Sequence, residues 1–202
     1  MELNDTYKTI TSPTESVLFK EKNSKFYGYA YPVVNEDAIK KHLTAVKKQH
    51  HSARHWCYAY KIGTEQPVFR VNDDGEPSNS AGMPIYGQIL SFEVTNVLVI
   101  VVRYFGGVKL GIGGLIQAYK TTALLSLESS KIIEKTIDVQ FQITFEYKEM
   151  NKVMRIIKER QLQITNQQLE LNCIITISVR KSESEKIFEV FNSVYGVSIE
   201  KI

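Results

Sequence analysis

The run Val97-Leu98-Val99-Ile100-Val101-Val102 is the strongest constraint on the fold of this 202-residue chain. It is continuous and mostly β-branched, with no polar residue to turn toward water. A strand of that kind belongs in the middle of a sheet that is covered on both faces. It is also the longest apolar run in the sequence, far short of the roughly 20 residues of a membrane-spanning helix. No membrane span is expected.

A segment of turn-forming residues lies on either side of this strand. Asp73-Asp74-Gly75-Glu76-Pro77-Ser78-Asn79-Ser80-Ala81-Gly82-Met83-Pro84 precedes it, and Arg103-Tyr104-Phe105-Gly106-Gly107-Val108-Lys109-Leu110-Gly111-Ile112-Gly113-Gly114 follows. With one strand between them, both segments are expected on a single solvent-facing cleft of one domain. In the first, Asp73-Asp74-Gly75 signals a turn, and Ser78, Asn79 and Ser80 are each able to cap a following helix. Its acids admit two accounts, solvated charges in an exposed turn or an acid/base or metal-binding pair. The second segment leads from a buried strand into a helix. That arrangement presents backbone N–H groups and a positive dipole end to an anion, flanked here by Arg103 and Lys109. The glycines also suit tight strand–helix packing. A dinucleotide fingerprint would need glycine at Ile116, and a Walker loop would need Gly-Lys-Ser/Thr, so nucleotide hydrolysis has no support.

Upstream, residues 16–22 and 25–34 read as a hairpin turning at Asn23-Ser24, and Asn35 caps a helix carrying Ile39, Leu43 and Val46 on one face. Tyr27, Tyr29 and Tyr31 share one face of the second strand, either as a core stripe or as a platform for bases. Residues 54–62 form another strand. Lys40, Lys41, Lys47, Lys48 and Arg54 fall with His42, His50, His51 and His55 in a stretch without any acid. A solvated helix face and a phosphate-attracting patch both account for it. His55 and Cys57 lie two apart on a strand and point side by side. With no second Cys/His pair nearby, neither zinc nor a Cys–His nucleophile is expected. Cys57 and Cys173 read as reduced, buried thiols.

A second domain begins after residue 135. Val139, Phe141, Ile143 and Phe145 alternate with polar residues, Met150, Val153, Met154 and Ile157 follow at helical spacing, and the strand–helix sequence then repeats to the end of the chain. The order βαββαβ describes a ferredoxin-like split βαβ domain, whose antiparallel sheet leaves one face open to a protein or RNA partner. Net charge is +3, and all of it falls in the first 135 residues.

The ordered set Asp74-Gly75-Glu76-Pro77-Ser78, Ala81-Gly82, Pro84, Asn96-Val97, Arg103-Tyr104-Phe105-Gly106-Gly107, Lys109-Leu110-Gly111, Gly113-Gly114-Leu115 and Ala118-Tyr119 resembles the IMPACT family, including its bacterial YigZ-type branch. The resemblance implies an α+β protein of two domains, residues 1–135 with a ribosomal protein S5 domain 2-like fold and residues 136–202 like the last domain of elongation factor G. It further implies translation-linked regulation. Many relatives carry Gly-Thr at Asn79-Ser80, a basic residue at Met83 and Arg at Gln117, so this patch has lost two cations.

The expected function is a non-enzymatic, cytoplasmic RNA- or ribosome-binding module without metal or cofactor. Arg54, Asp74, Glu76, Ser78, Arg103, Lys109, Gly111, Gly113 and Gly114 are its candidate site. The alternatives are an enzyme for a small anionic or peptide-like substrate, with His55 as acid or base oriented by Asp74 or Glu76, and a protein-only adaptor. The amino-terminal residues Met1 to Asp5 do not read as a secretion signal.

Overall fold

A computed structural model describes residues 5–202; the leader reading rests mainly on residues 1–4, outside the described residues. The chain divides into two compact units, residues 7–135 and residues 136–202, the latter joined by Asp5 and Thr6.

The first unit runs β1 (Thr6–Ile10), β2 (Val17–Glu21), β3 (Ser24–Pro32), α1 (Glu36–Gln49), β4 (His55–Ile62), β5 (Val68–Asn72), α2 (Gly82–Ser91), β6 (Val97–Tyr104), α3 (Gly111–Glu128) and β7 (Ile132–Thr136). The last strand pairs with β1, and the others form a five-stranded sheet ordered β2-β3-β6-β4-β5. The apolar run is therefore the central strand. Val97, Val99 and Val101 pack with Ile85 and Ile89 of α2 and Leu115, Tyr119 and Leu127 of α3. Leu98, Ile100 and Val102 pack on the opposite face with Ile39 and Val46 of α1. Both faces of the sheet are thus covered by helices along that strand.

Asn35 caps α1, its Oδ1 accepting the Ala38 amide at 2.9 Å. The hairpin turns one residue earlier than its sequence suggests. Glu21 already pairs with Ser24, leaving Lys22 and Asn23 as the loop. Both have positive φ, 45° and 65°. A two-residue loop of that hand matches the twist of the flanking strands. Ser24 is held inside instead, where its Oγ accepts the Gly106 amide at 3.1 Å. Strand β5 was not anticipated, because Val68-Phe69-Arg70-Val71-Asn72 does not alternate cleanly and is largely exposed.

The second unit comprises β8 (Asp138–Glu146), α4 (Met150–Glu159), β9 (Gln163–Gln168), β10 (Asn172–Arg180), α5 (Ser184–Asn192) and β11 (Val197–Lys201). Its sheet is ordered β11-β8-β10-β9. Val139, Phe141, Ile143 and Phe145 meet Val153 and Ile157 of α4 and Ile187 and Phe191 of α5. Both helices thus cover one face. The other carries Gln140, Gln142 and Thr144 beside Ser178, Thr176 and Ile174. Asp5 accepts two hydrogen bonds from Arg180, at 2.6 and 3.1 Å. That guanidinium holds the Asp5 carboxyl down at about 2.

The backbone of Gly106 passes so close to the β2–β3 turn that an added methyl would overlap the main chain of Asn23 and Ser24. Main-chain atoms cannot swing aside as a side chain can. Gly106→Ala is therefore expected to destabilise the protein by about 1–3 kcal/mol, the usual cost of overpacking. Urea unfolding measures it; a change below 0.5 kcal/mol, the range of a neutral surface substitution, would refute the close approach.

Candidate functional site

The acidic segment leaves β5 through a tight turn. Asp74 has φ 40° and Gly75 φ 85°, and the Asn72 side chain accepts the Asp74 amide at 2.7 Å. Asp73 folds back over the segment that follows. Its Oδ1 accepts the amides of Ala81 and Gly82 at 3.0 and 2.8 Å, and its Oδ2 accepts Asn79 N at 2.8 Å. Asp73 therefore caps α2 across eight residues of loop. None of Ser78, Asn79 or Ser80 does so: the helix starts after Ala81, which has no side-chain cap, and the Ser80 hydroxyl donates to Pro77 O. A carboxylate at the positive end of the dipole supplies the charge that a serine cap lacks.

Asp74 is used locally as well. Its carboxylate accepts Trp56 N at 2.8 Å, and its main-chain oxygen lies 2.9 Å from His55 Nδ1. His55 is thus tied to a backbone carbonyl, and the expected pairing with an Asp74 or Glu76 carboxylate does not form.

Glu76 and Arg103, expected at the solvent-facing surface, are instead paired inside. Glu76 Oε1 accepts Arg103 Nη1 at 2.7 Å and the Tyr119 hydroxyl at 2.8 Å. Their side chains are only 4% and 7% exposed, respectively. Neither is a solvated charge, and Arg103 is not open to an incoming phosphate. The guanidinium carbon lies 5.6 Å from the Phe26 ring and 5.5 Å from the Phe105 ring. Tyr119 packs edge-on against Phe26 at 5.2 Å, and the Cys57 sulfur lies 3.3 Å from its hydroxyl and 3.0 Å from Asp73 O. Burial pushes both the Cys57 thiol and the Tyr119 phenol well above their ordinary values. A thiol held protonated in this way is not a nucleophile.

The glycine-rich segment differs. Gly111, with φ 74°, opens α3 in the region that glycine favours. The helix is 18 residues long, has no side-chain cap and carries no acid in its first turn. Gly111, Ile112 and Gly113 are exposed, as are Lys109, Arg54 and Ser78, whereas Gly114 is half-buried. The acidic loop and α3 do meet, through Glu76 and Tyr119, but Glu76 lies on the inner side of that junction. Met83 and Gln117, where relatives carry cations, are exposed. Tyr119, Cys57 and Asp73 were missed as parts of the site. For Tyr119 a signal existed, since it falls on the helical stripe of Leu115 and Thr122.

Among the described residues there is no cluster of three or more His, Cys, Asp or Glu able to hold a metal. No helix among them is long and apolar enough to cross a membrane.

Removing one partner of a buried ion pair leaves the other charge uncompensated, at about 3–5 kcal/mol. Glu76→Ala is expected to destabilise the protein by that amount in urea unfolding. A surface turn charge would instead change stability by about 0.5 kcal/mol or less, and that result would contradict the burial.

The Impact N-terminal domain family matches residues 22–127, which span the whole loop and helix constellation. An IMPACT family member of Haemophilus influenzae is 30% identical over 188 residues, covering 90% of this chain and 88% of the relative. The IMPACT family member YvyE of Bacillus subtilis is 33% identical over 155 residues, 77% of this chain and 71% of the relative. A solved structure described as a hypothetical protein superposes with a TM-score of 0.74 at 24% identity, over 99% of this chain and 98% of that one. Its likeness concerns the fold alone. The buried Glu76–Arg103 pair and the exposed start of α3 thus stand in a chain that belongs to the IMPACT family.

Proposed function

We propose that the chain is a cytoplasmic, translation-linked regulator that binds single-stranded RNA or ribosomal RNA without catalysing a reaction. The observation that carries this reading is the amino terminus of α3: uncapped by any side chain, free of acids, exposed, and preceded by exposed Lys109. Backbone N–H groups at such a terminus favour a phosphate, and the adjoining ammonium adds charge. Exposed Arg54, next to the β4 residue that pairs with Arg103 at the end of β6, offers a further cation, and Ser78 a neutral donor, whereas the lysines of α1 lie on the opposite face of the sheet. Family membership supports the regulatory part, and the burial of Glu76 together with the tie of His55 to a backbone carbonyl weighs against the enzyme that would have paired them. In the same proposal the first unit has an S5 domain 2-like fold and the second is ferredoxin-like, its order β11-β8-β10-β9 with both helices on one face supporting the latter. The uncovered face of that sheet is the proposed seat for a protein partner.

A second reading has its own observation. Val108 and Ile112 beside the α3 terminus are 48% and 61% exposed, which suits a protein-only adaptor. A partner retained after nuclease digestion favours that reading.

Binding of a fluorescent single-stranded RNA is expected to weaken as salt rises, log K falling by about 0.7 per phosphate neutralised for each unit of log salt. Lys109→Ala should lower that slope by about the same 0.7. An affinity independent of salt, or a slope unchanged by the substitution, removes phosphate contact at α3 from the account.

A further inference from the structure

We propose that the cleft lined by Asn23, Lys25, Tyr27, Tyr104 and Phe105 binds one nucleotide of a single-stranded RNA, its base stacked on Phe105 and its phosphate beside Lys25. The inference rests on the RNA-binding reading above and names a second contact, separate from the α3 terminus. The cleft measures about 340 Å³, within the roughly 300–1,000 Å³ range of small-ligand sites. It lies where β3 and β6 run side by side, Lys25 directly opposite Tyr104.

Three features of its lining select the ligand. Phe105 is 54% exposed, an unusual position for a phenyl ring. It is nevertheless held in place, because the Arg103 guanidinium lies 5.5 Å from the ring and is itself fixed by Glu76. Tyr27 and Tyr104 meet edge to face at 5.8 Å, so their rings form a corner rather than a flat stripe. The Tyr104 hydroxyl is anchored 3.0 Å from His50 Nδ1, and His50 Nε2 lies 2.6 Å from the Tyr29 hydroxyl. The corner is preorganised, and binding need not freeze it.

The charge of the lining excludes the other ligands that aromatic clefts accept. A quaternary or methylated ammonium favours an aromatic cage. Here Lys25 would repel it, and none of the five lining residues is a carboxylate. A purely apolar ligand would strip water from Lys25 and Asn23 without replacing their hydrogen bonds. A nucleotide meets all three kinds of group. Its base has a π-face for Phe105, its edge has donors and acceptors for the Asn23 amide, and its phosphate is a partner for Lys25. Asn23 sits in the two-residue hairpin loop, whose left-handed backbone at φ 65° fixes where its side chain starts.

The test uses the full chain with fluorescently labelled decauridine and decaadenosine, read by anisotropy at fixed salt. Loss of one base–aromatic stack corresponds to about a tenfold drop in affinity. Phe105→Ala is expected to weaken binding by that factor and, because it uncovers Arg103, to unfold at somewhat lower urea, so affinity is read on protein shown to be folded; Phe105→Trp, which keeps a ring over the guanidinium, is expected to restore both. Lys25→Gln, at an exposed position, is expected to weaken binding and to lower its salt dependence. If the wild type binds neither oligonucleotide, the cleft proposal and the RNA-binding reading both fall. If it binds and Phe105→Ala lies within twofold of wild type, the cleft proposal alone falls and binding at α3 stands. Should Phe105→Ala instead release a nuclease-resistant protein partner while leaving RNA affinity intact, the cleft is a protein socket and the nucleotide assignment is wrong.

Discussion

The buried pair Glu76–Arg103 ties together three segments of the first unit that are far apart in sequence. Taking two charges out of water costs several kcal/mol for each ion, and the attraction repays it only with good geometry and further hydrogen bonds. Here Glu76 Oε1 receives both Arg103 Nη1 and the Tyr119 hydroxyl. The two bonds join the loop after β5, the end of β6 and the third turn of α3. The guanidinium rests between Phe26 and Phe105, aromatic faces that suit a weakly hydrated cation. Arg103 Nε stays without a partner. The Glu76 carboxylate bridges the acidic loop to both β6 and α3.

The sequence exposes those parts of the fold that depend on local periodicity. Val97 to Val102 gave a central strand because nothing in it could face water, and both of its faces are covered. The alternation of Val139, Phe141, Ile143 and Phe145 and the helical spacing of Val153 and Ile157 placed the elements of the second unit to within a few residues. Asn35 was readable as a cap because cap and helix are adjacent. Strand β5 was not legible: its exposed Val68 and Phe69 give no inside and outside to distinguish.

The candidate site was less legible, for a different physical reason. Turn chemistry around Asp73-Asp74-Gly75-Glu76 says that the chain reverses there, and reversal usually means exposure. Whether a carboxylate in such a loop faces water depends on a partner distant in sequence, and Arg103 lies 27 residues away. Asp73 illustrates the same limit over a shorter span. Three residues with good capping side chains precede α2, yet the cap comes from further upstream, because the loop folds back and brings a full charge to the helix end. His55 was read as a partner for a carboxylate and instead meets the carbonyl of one of those residues. The residues were the right ones to single out, and their contacts required three dimensions.

The glycines of the second segment separate what the fold needs from what it leaves unused. Gly106 is required by the closeness of the β2–β3 turn, and Gly111 by its positive φ. Gly113 is different. A Cβ there would meet nothing within 4 Å, and its backbone lies outside the left-handed region. Glycine in a helix costs up to about 1 kcal/mol relative to alanine, so no contact within the chain accounts for its presence. It leaves the exposed main chain at the start of α3 bare on the side that faces solvent, where a phosphate oxygen or a partner's backbone can approach the amides more closely than any Cβ would permit.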